Sequence, residues 1–289
     1  MSSDVHGARV AITGGARGIG RATAEAFLAA GASVAIGDID AEEVVRTAAA
    51  LSESFGCPVV GVPLDVTDAQ SFETFLDTVE ARLGGLDTLV NNAGIMPTGR
   101  FLDEPLEVAD RTIDINLRGV LIGSKLAGRR FALEGRGHIV NVASILGVVG
   151  TPGVATYCAS KFAVVGMSAA LHQELAEHGV AVSTICPAFV NTELIAGLTP
   201  NWLARRIGFV EPGDVARAVV AAVASGRGGR RVIPALTGAA ARVLTPLPEN
   251  LANRIGRLLG THDTIGKADT AVRAAYLNRV EGSKGRNIA

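Results

Sequence analysis

The chain contains few aromatic residues and few cysteines. Aromatic side chains make up 4% of its 289 residues and charged ones 19%, while 48% of the residues are hydrophobic. That composition argues against a disordered chain and is typical of a globular protein rich in small aliphatic residues. The three cysteines, Cys57, Cys158 and Cys186, are widely spaced and form no CxxC pair. The sequence therefore predicts neither a disulfide framework nor a zinc site, and no metal is expected.

Segments typical of export or membrane insertion are also missing. Charged residues precede the first apolar run, so no secretory signal is recognised and a cytoplasmic location is expected. Residues 139–160 carry no charge, but Asn141, Pro152 and three glycines are unsuited to a membrane span. We interpret this run as a buried strand followed by an active-site loop. No nucleic-acid partner is predicted.

Short β-branched runs alternate with longer helical patterns from Arg9 to about Pro234. The runs are continuously apolar, which is typical of strands buried on both faces of a sheet. Seven such strands separated by helices predict an α/β fold with a doubly wound parallel sheet. Ligands of such sheets bind beyond the carboxyl ends of the strands. The predicted strands are residues 10–13, 33–38, 59–64, 86–91, 138–144, 180–186 and 231–234.

A glycine-rich turn, TGGARGIG at residues 13–20, follows the first predicted strand and opens the first predicted helix. Gly14 allows a tight turn, Gly18 lets phosphates approach the backbone, and Gly20 permits close packing of helix on strand. Taken alone, the motif is as often an ordinary turn, because the chain holds 35 glycines. Its position between strand and helix favours binding of a dinucleotide pyrophosphate.

Asp38 ends the second predicted strand, 18 residues after Gly20. A carboxylate at that spacing accepts hydrogen bonds from the adenosine ribose and repels a 2′-phosphate, which favours NAD over NADP. The alternative is that Asp38 only ends the strand or caps the helix beginning near Ala41. Arg17 favours the other cofactor, because a guanidinium in the glycine turn can pair with a 2′-phosphate. NAD is the expected cofactor, and NADP is the less favoured one.

Tyr157 and Lys161 lie four residues apart, which places both side chains on one face of a helix. A nearby ammonium stabilises a tyrosine phenolate and lowers the phenol pKa, so the pair can exchange a proton with an alcohol or carbonyl. Alone, this spacing is more often a solvated helix face. Ser144, which follows a buried run, supplies a hydroxyl that can hold a substrate oxygen. Asn116 is a polar residue in an otherwise apolar helix.

Together these motifs resemble the short-chain dehydrogenase/reductase family. The matching pieces cover about 235 residues and are, in family order, TGGARGIG, Asp65-Val66, NNAG at 91–94, Asn116, Ser144, YCASK at 157–161, and Pro187 with Thr192. The resemblance implies a Rossmann-like fold and a nicotinamide-dependent oxidoreductase, an alcohol dehydrogenase or carbonyl reductase. A non-catalytic dinucleotide-sensing or scaffold protein is the alternative, and lyases and epimerases are a smaller one.

The resemblance also implies a role for each matched residue. Tyr157 would be the general acid/base, Ser144 would polarise the substrate oxygen, and Lys161 would assist Tyr157 and hold the nicotinamide ribose. Asn116 would keep a water in the proton relay. The residues expected at the cofactor are Gly14, Arg17, Gly18, Ile19, Gly20, Asp38, Ile39, Asp65, Val66, Asn92, Ala93, Gly94, Tyr157, Lys161, Pro187, Val190 and Thr192.

Apolar residues follow Pro187 and flank Ser144, which indicates an apolar pocket and lid. The alternative is that they pack a helix pair onto the sheet. The expected substrate is a rather large apolar alcohol or ketone, such as a steroid, terpene, retinoid-like or fatty compound. The residues predicted to line its pocket are Met96, Ile145, Leu146, Phe189, Leu194, Leu198 and Trp202.

The chain continues well past its last predicted strand. We divide it into a catalytic domain, residues 1–235 with a lid at 188–211, and a helical extension, residues 236–289. Residues 227–289 hold 11 Lys/Arg and 4 Asp/Glu, and an apolar stripe at helical spacing runs through Leu247, Leu251, Ile255, Leu258 and Leu259. Such a helix can contact an anionic membrane, cover the substrate entrance or dock on another subunit. Packing within the protein or its oligomer is favoured, and the family resemblance suggests a homodimer or homotetramer.

Overall fold

The structure is a computed structural model that describes residues 5–195 and 209–244. The strands are β1 Arg9–Thr13, β2 Ser33–Asp38, β3 Val60–Pro63, β4 Thr88–Asn91, β5 Gly137–Val142, β6 Val180–Pro187, β7 Phe189–Val190, β8 Phe209–Val210 and β9 Gly229–Ile233. The α-helices are α1 Gly18–Ala29, α2 Ala41–Phe55, α3 Ala69–Leu83, α4 Leu106–Ile113, α5 Gly119–Glu134, α6 Ala155–Glu174, α7 Pro212–Ala224 and α8 Ala235–Leu244.

The central sheet confirms the predicted α/β fold. Seven parallel strands lie in the order β3-β2-β1-β4-β5-β6-β9, with the helices on both faces. One apolar core lies under α1, α2 and α7 and includes Phe27 and Val219. The other lies under α3 and α5 and includes Phe72 and Phe131. Burial on both faces explains why the strands read as continuous apolar runs.

The register of the strands brings the predicted site residues together. Thr13 pairs with Gly37, so the glycine turn after β1 lies next to Asp38 at the end of β2. Asp38 in turn pairs with Pro63, two residues before Asp65. The strand order reverses between β1 and β4, which opens a crevice at the carboxyl edge of the sheet.

Strand boundaries differ from the predicted ones by at most two residues, and the main differences are at β5 and in the predicted lid. β5 ends at Val142 rather than at residue 144, and Ser144 instead precedes the 3₁₀ turn Ile145–Gly147, whose Leu146 N–H it binds at 3.1 Å. The short strands β7 and β8 form a separate parallel pair at the two ends of the predicted lid. Two-residue strands are too short to leave a periodic pattern.

Helix α8 is the described beginning of the predicted extension, and it buries Ala241. The rest of that extension, with its apolar stripe, lies outside the described residues, as do Leu198 and Trp202 of the predicted pocket. Within residues 5–195 and 209–244, no helix combines the length and the apolar character needed to cross a membrane.

Candidate functional site

A cavity of about 600 Å³ lies at the carboxyl edge of the sheet, where the strand order reverses. Most residues predicted at the cofactor line it, from Asp65 and Val66 after β3 to Tyr157 and Lys161 on α6. A second cavity of about 50 Å³ adjoins it beside β5 and β6. Both cavities share the walls Ile19, Ala143, Tyr157, Thr192 and Leu194.

The glycine turn forms the floor of the larger cavity. Gly14 and Gly18 have φ angles of 63° and 52°, in the left-handed region that favours glycine. A Cβ on Gly20 would lie 2.0 Å from the Gly14 carbonyl oxygen, so its role is the close packing of α1 on the turn. No side chain caps the N-terminus of α1, and its first turn holds no acidic residue. Its N–H groups are therefore suited to bind an anion.

Two residues connect the glycine turn to the end of β4. The Asn92 amide donates hydrogen bonds to the carbonyls of Thr13 and Gly14 at 3.0 and 3.1 Å. The Thr13 hydroxyl accepts from the backbone N–H groups of Asn92 and Ala93 at 3.0 and 3.1 Å. Thr13 was not among the predicted site residues, although it directly precedes the glycines.

Asp38 and Arg17 have different surroundings. Among the described residues, the Asp38 carboxylate accepts two long hydrogen bonds, from the N–H groups of Ala16 and Asp40 at 3.2 and 3.3 Å, and burial raises its pKa. Arg17 pairs with Asp40 at 2.9 Å and with Glu43 at 3.5 Å. The helix cap foreseen as an alternative for Asp38 belongs to Asp40, whose side chain accepts the Glu43 N–H.

The smaller cavity combines the hydroxyls of Ser144, Tyr157 and Thr192 with apolar walls. Ser144 and Tyr157 both line it, and both are buried. Its other walls include five of the predicted substrate residues, namely Met96, Ile145, Leu146, Phe189 and Leu194, together with Pro187 and Val190, which were predicted at the cofactor. Phe189 stacks on Phe209 with ring centroids 5.6 Å apart.

Lys161 is a buried cation next to Tyr157. Its ammonium lies 5.7 Å from the centre of the Tyr157 ring and donates a hydrogen bond to the Val142 carbonyl at 3.1 Å. Burial lowers the pKa of Lys161 to about 8. The ammonium therefore stays mostly protonated at neutral pH and places a positive charge beside the phenol.

Asn116 lies behind the cavity wall, in the π-helical segment Asp114–Arg118 between α4 and α5. Its amide accepts the Ile95 N–H and donates to the Ile95 carbonyl, both at 2.8 Å, and also donates to Ser160 at 3.2 Å. These bonds hold the loop after β4 against α6. A π segment inside an α-helix is frequent at functional sites, but no pattern in the sequence distinguished it from an α-helix.

Sequence reasoning missed one wall of the larger cavity. Glu107, Asp110 and Arg111 on α4 line it, with Asp114 and Ile115 just beyond. The sequence feature that could have indicated this wall is a charged helical segment shortly after the NNAG motif. As for metals, no group of three or more His, Cys, Asp or Glu side chains that could hold an ion occurs in the described part of the chain, and the three cysteines are free thiols.

The family model described as short chain dehydrogenase matches residues 8–201. The chain is 43% identical over 188 residues to the probable oxidoreductase EphD of Mycobacterium tuberculosis, a match that covers 65% of this chain and 32% of that protein. The chain thus spans about a third of that relative's length. It is 36% identical over 221 residues to the 3-alpha-(or 20-beta)-hydroxysteroid dehydrogenase of the same organism, covering 76% of this chain and 84% of that protein.

A solved structure shares the architecture. It is a short chain dehydrogenase/reductase from Burkholderia phymatum in complex with NAD, with a TM-score of 0.74 and 28% identity over 83% of this chain and 93% of that one. The family match, the parallel sheet and the crevice at its carboxyl edge all indicate the same family. The chain belongs to the short chain dehydrogenase family.

Proposed function

We propose that the protein is an NAD-dependent alcohol dehydrogenase or carbonyl reductase that acts on a secondary alcohol or ketone with a large apolar body. This proposal rests on the observation that Tyr157, Thr192 and Leu194 line both cavities. A substrate oxygen at Ser144 and Tyr157 would therefore lie next to the nicotinamide end of a cofactor in the larger cavity. That proximity is what direct hydride transfer requires.

The larger cavity suits a dinucleotide. Its volume is in the usual range for ligand pockets, and the uncapped start of α1 offers N–H groups to a pyrophosphate. Asp38 and Val66 would hold the adenosine half at the ends of β2 and β3. Lys161 and Thr192 would hold the nicotinamide half. When bound, the cofactor supplies or accepts the hydride.

The preference for NAD is supported by the contacts of two charged side chains. The Asp38 carboxylate can accept further hydrogen bonds from ribose hydroxyls, since the described part of the chain donates to it through two long hydrogen bonds. Arg17, the residue that argued for NADP, is engaged by Asp40 and Glu43. A 2′-phosphate would have to break those pairs and approach the Asp38 carboxylate. The related structure from Burkholderia phymatum is likewise described as an NAD complex.

The proton chemistry follows from the residues around Tyr157. In the oxidation of an alcohol, the Tyr157 phenolate takes the hydroxyl proton, and in reduction the phenol returns it to the carbonyl oxygen. The Lys161 ammonium favours the phenolate by its charge. Ser144 donates a hydrogen bond to the substrate oxygen and stabilises the charge that develops there. Asn116 positions Ile95 and Ser160, and we propose that it also supports the water relay for the proton.

The substrate class is supported by the smaller cavity. Its walls carry no charged side chain among the described residues. At about 50 Å³ it holds only the reacting end of a large compound. The hydroxysteroid dehydrogenase relative acts, by its name, on an alcohol of the proposed kind. The enclosed volume and the apolar lining together favour a secondary alcohol on an apolar body over a sugar.

The test is a panel of secondary alcohols, from sugars to steroids, assayed with NAD and with NADP by the absorbance of the reduced cofactor. We expect turnover of apolar alcohols and a kcat/KM for NAD at least tenfold above that for NADP. Replacement of Asp38 with Ala should reduce that ratio, while Asp68→Ala, on the exposed cap of α3, should not. A preference for sugars would contradict the substrate proposal. A preference of the unaltered enzyme for NADP would contradict the cofactor proposal.

We also propose a homodimer or homotetramer in the cytoplasm, with residues 1–235 as the catalytic domain and 236–289 packed within the protein or its oligomer. The exposed apolar side chains Leu121 on α5 and Phe162 on α6 support an oligomer contact on those helices. Light scattering after size exclusion should give a mass of two or four chains, and L121E should reduce it. Liposome co-sedimentation of the full chain with a variant ending at residue 244 tests the extension, and a lipid-bound full chain would contradict our assignment.

A further inference from the structure

One cation that lines the larger cavity, Arg111, has no hydrogen-bonding or ion-pair partner among the described residues. Of the described residues, six acidic side chains and three basic ones, Arg17, Arg111 and Lys161, line that cavity. Arg17 is held by two carboxylates, and Lys161 donates to the Val142 carbonyl. Among the residues that the structure describes, Arg111 makes neither a hydrogen bond nor an ion pair within 4 Å.

Arg111 is nevertheless partly withdrawn from water. It lies on α4 with intermediate burial, and this burial lowers the pKa of its guanidinium, while the Asp65 carboxylate raises it. Its guanidinium lines the cavity and is not paired with a described carboxylate, so a ligand there can contact it. A binding site can retain such a group, because the ligand then supplies the missing contact.

The position of Arg111 along the cavity identifies the part of the ligand that it faces. Its electrostatic partner, Asp65, follows β3 at the edge of the sheet. The start of α5, just beyond α4, packs on Val66, since a Cβ on Gly119 would lie 2.9 Å from a Val66 methyl. The pyrophosphate belongs at α1 in the middle of the sheet, and Tyr157 marks the nicotinamide end. Arg111 therefore lies at the adenine end.

We propose that Arg111 is an adenine-binding residue whose planar guanidinium stacks on the face of the purine. This inference rests on the proposed NAD-binding function. A guanidinium is weakly hydrated and stacks on aromatic faces, and Arg planes are used in this way to bind nucleobases. A 2′-phosphate is the other ligand for an arginine here, but the acidic side chains Asp38, Asp65 and Asp110 in the same cavity oppose a dianion.

The experiment measures binding rather than turnover. Isothermal titration of the full chain with NAD, AMP and nicotinamide mononucleotide separates the two halves of the dinucleotide. Arg111→Met keeps the length of the side chain but removes the planar cation, and Arg111→Lys keeps the charge but removes the plane. Arg129→Met, on the exposed face of α5, is the matched control. Thermal melting of each variant checks the fold.

Loss of the stacking contact should weaken AMP and NAD binding, and we expect Arg111→Met to raise both Kd values about tenfold. Nicotinamide mononucleotide should bind as before, and Arg111→Lys should recover little of the loss. Unchanged AMP affinity in Arg111→Met, equal loss for both mononucleotides, or full rescue by Arg111→Lys would each overturn the inference. If the unaltered protein binds neither NAD nor AMP, the proposed function fails as well. If it binds both and Arg111→Met binds them equally well, only the role of Arg111 fails.

Discussion

The amino and carboxyl edges of the central sheet differ in how their charged groups are paired. At the amino edge, Asp87 accepts the Arg9 Nε and backbone N–H at 2.6 and 3.0 Å and also pairs with Arg136. At the carboxyl edge, Lys161 is buried without an ion pair among the described residues, and α1 has no side-chain cap. The Arg9, Asp87 and Arg136 side chains satisfy one another at the first edge, whereas Lys161 and the start of α1 have no such charged partners among the described residues at the second. We propose that the first edge serves mainly stability and the second mainly function.

The largest expected effect is at the carboxyl edge. Tyr157→Phe removes only the proton-transferring oxygen, so we expect kcat to fall by about a thousandfold with little change in the unfolding temperature. Steady-state kinetics with the best alcohol of the panel measures it. Cys158→Ala, the neighbouring buried position on α6, is the control and should stay within a few-fold of the original rate. Turnover of Tyr157→Phe in that same range would falsify the proposed mechanism.

At the amino edge, His138 should make folding sensitive to acid. Its ring contacts Ser183 at 2.9 Å, and burial, with smaller effects from Arg231 and His172, lowers its pKa to about 4 from 6.5. The neutral ring is favoured in the fold, so its contribution is fully present above pH 6.5 and is lost as the pH falls towards 4. That shift corresponds to about 3 kcal/mol in the free energy of unfolding.

Urea titrations between pH 4 and 7 measure this effect. His138→Gln keeps a polar side chain for Ser183 but does not titrate, so its stability should fall less steeply with acid. His178→Gln, on an exposed histidine, should follow the unaltered protein. If the free energy of unfolding depended on pH equally in all three proteins, His138 would not be responsible for the acid sensitivity.

The burial of the Lys161 ammonium predicts that this residue supports activity but lowers the stability of the fold. Its pKa of about 8 in the fold lies below the ordinary 10.5, so burial of the charge costs stability below pH 8, and the cost disappears as the pH rises towards 10.5. Lys161→Met should raise the free energy of unfolding at pH 7 by about 2 kcal/mol after the loss of the Val142 hydrogen bond, and it should abolish turnover. Chemical denaturation at pH 7 and 10 measures it, with the exposed Lys125→Met as control. A less stable Lys161→Met would show that the hydrogen bond outweighs the burial of the charge.

The smallest effect concerns Asp87. Hydrogen bonds from Arg9 and Arg136 lower its pKa to about 2 despite partial burial, so its stabilising effect is present above pH 3.8 and is lost as the pH falls towards 2. Asp87→Asn should cost about 1 to 2 kcal/mol at pH 7, because the pair is partly exposed to solvent, and should leave kcat unchanged. Asp77→Asn, whose ion pair with Arg130 is more exposed, should cost less. A large loss of activity in Asp87→Asn would contradict the proposal that the amino edge serves stability and the carboxyl edge serves function.

The sheet and the outline of the crevice were predictable because they depend on local patterns. Buried parallel strands give continuous apolar runs, and the position of the glycine turn between the first strand and the first helix favours nucleotide binding. The start of α2 near Ala41 was also predicted, although Asp40 and not Asp38 caps that helix. Boundaries were less accurate at β5, where the chain leaves the ladder before Ser144 while its side chain starts a 3₁₀ turn.

Contacts between distant residues were not predictable. The buried amide of Asn91 donates to Ser124 at 3.2 Å and to Asn141 at 2.9 Å, and Asn141 donates to Ser168 at 2.9 Å, which ties α5 and α6 to the sheet. Hydrogen-bonded partners in this network lie up to 50 positions apart in the sequence. No periodicity within a single segment indicates such a pairing, because it depends on which strands become neighbours.

The sequence by itself determined the parallel α/β fold, the glycine turn and the candidate residues Asp38, Ser144, Tyr157 and Lys161, because each is encoded in a local run or a short spacing. Only the tertiary structure decided that Arg17 forms ion pairs with Asp40 and Glu43. It also decided that Asn116, in a π-helical segment, binds the backbone of Ile95. It likewise placed Arg111 at the cavity wall, beside Asp65. The physical reason is that the availability of a charge depends on its neighbours in space, and a chain folded into a sheet takes those neighbours from distant segments.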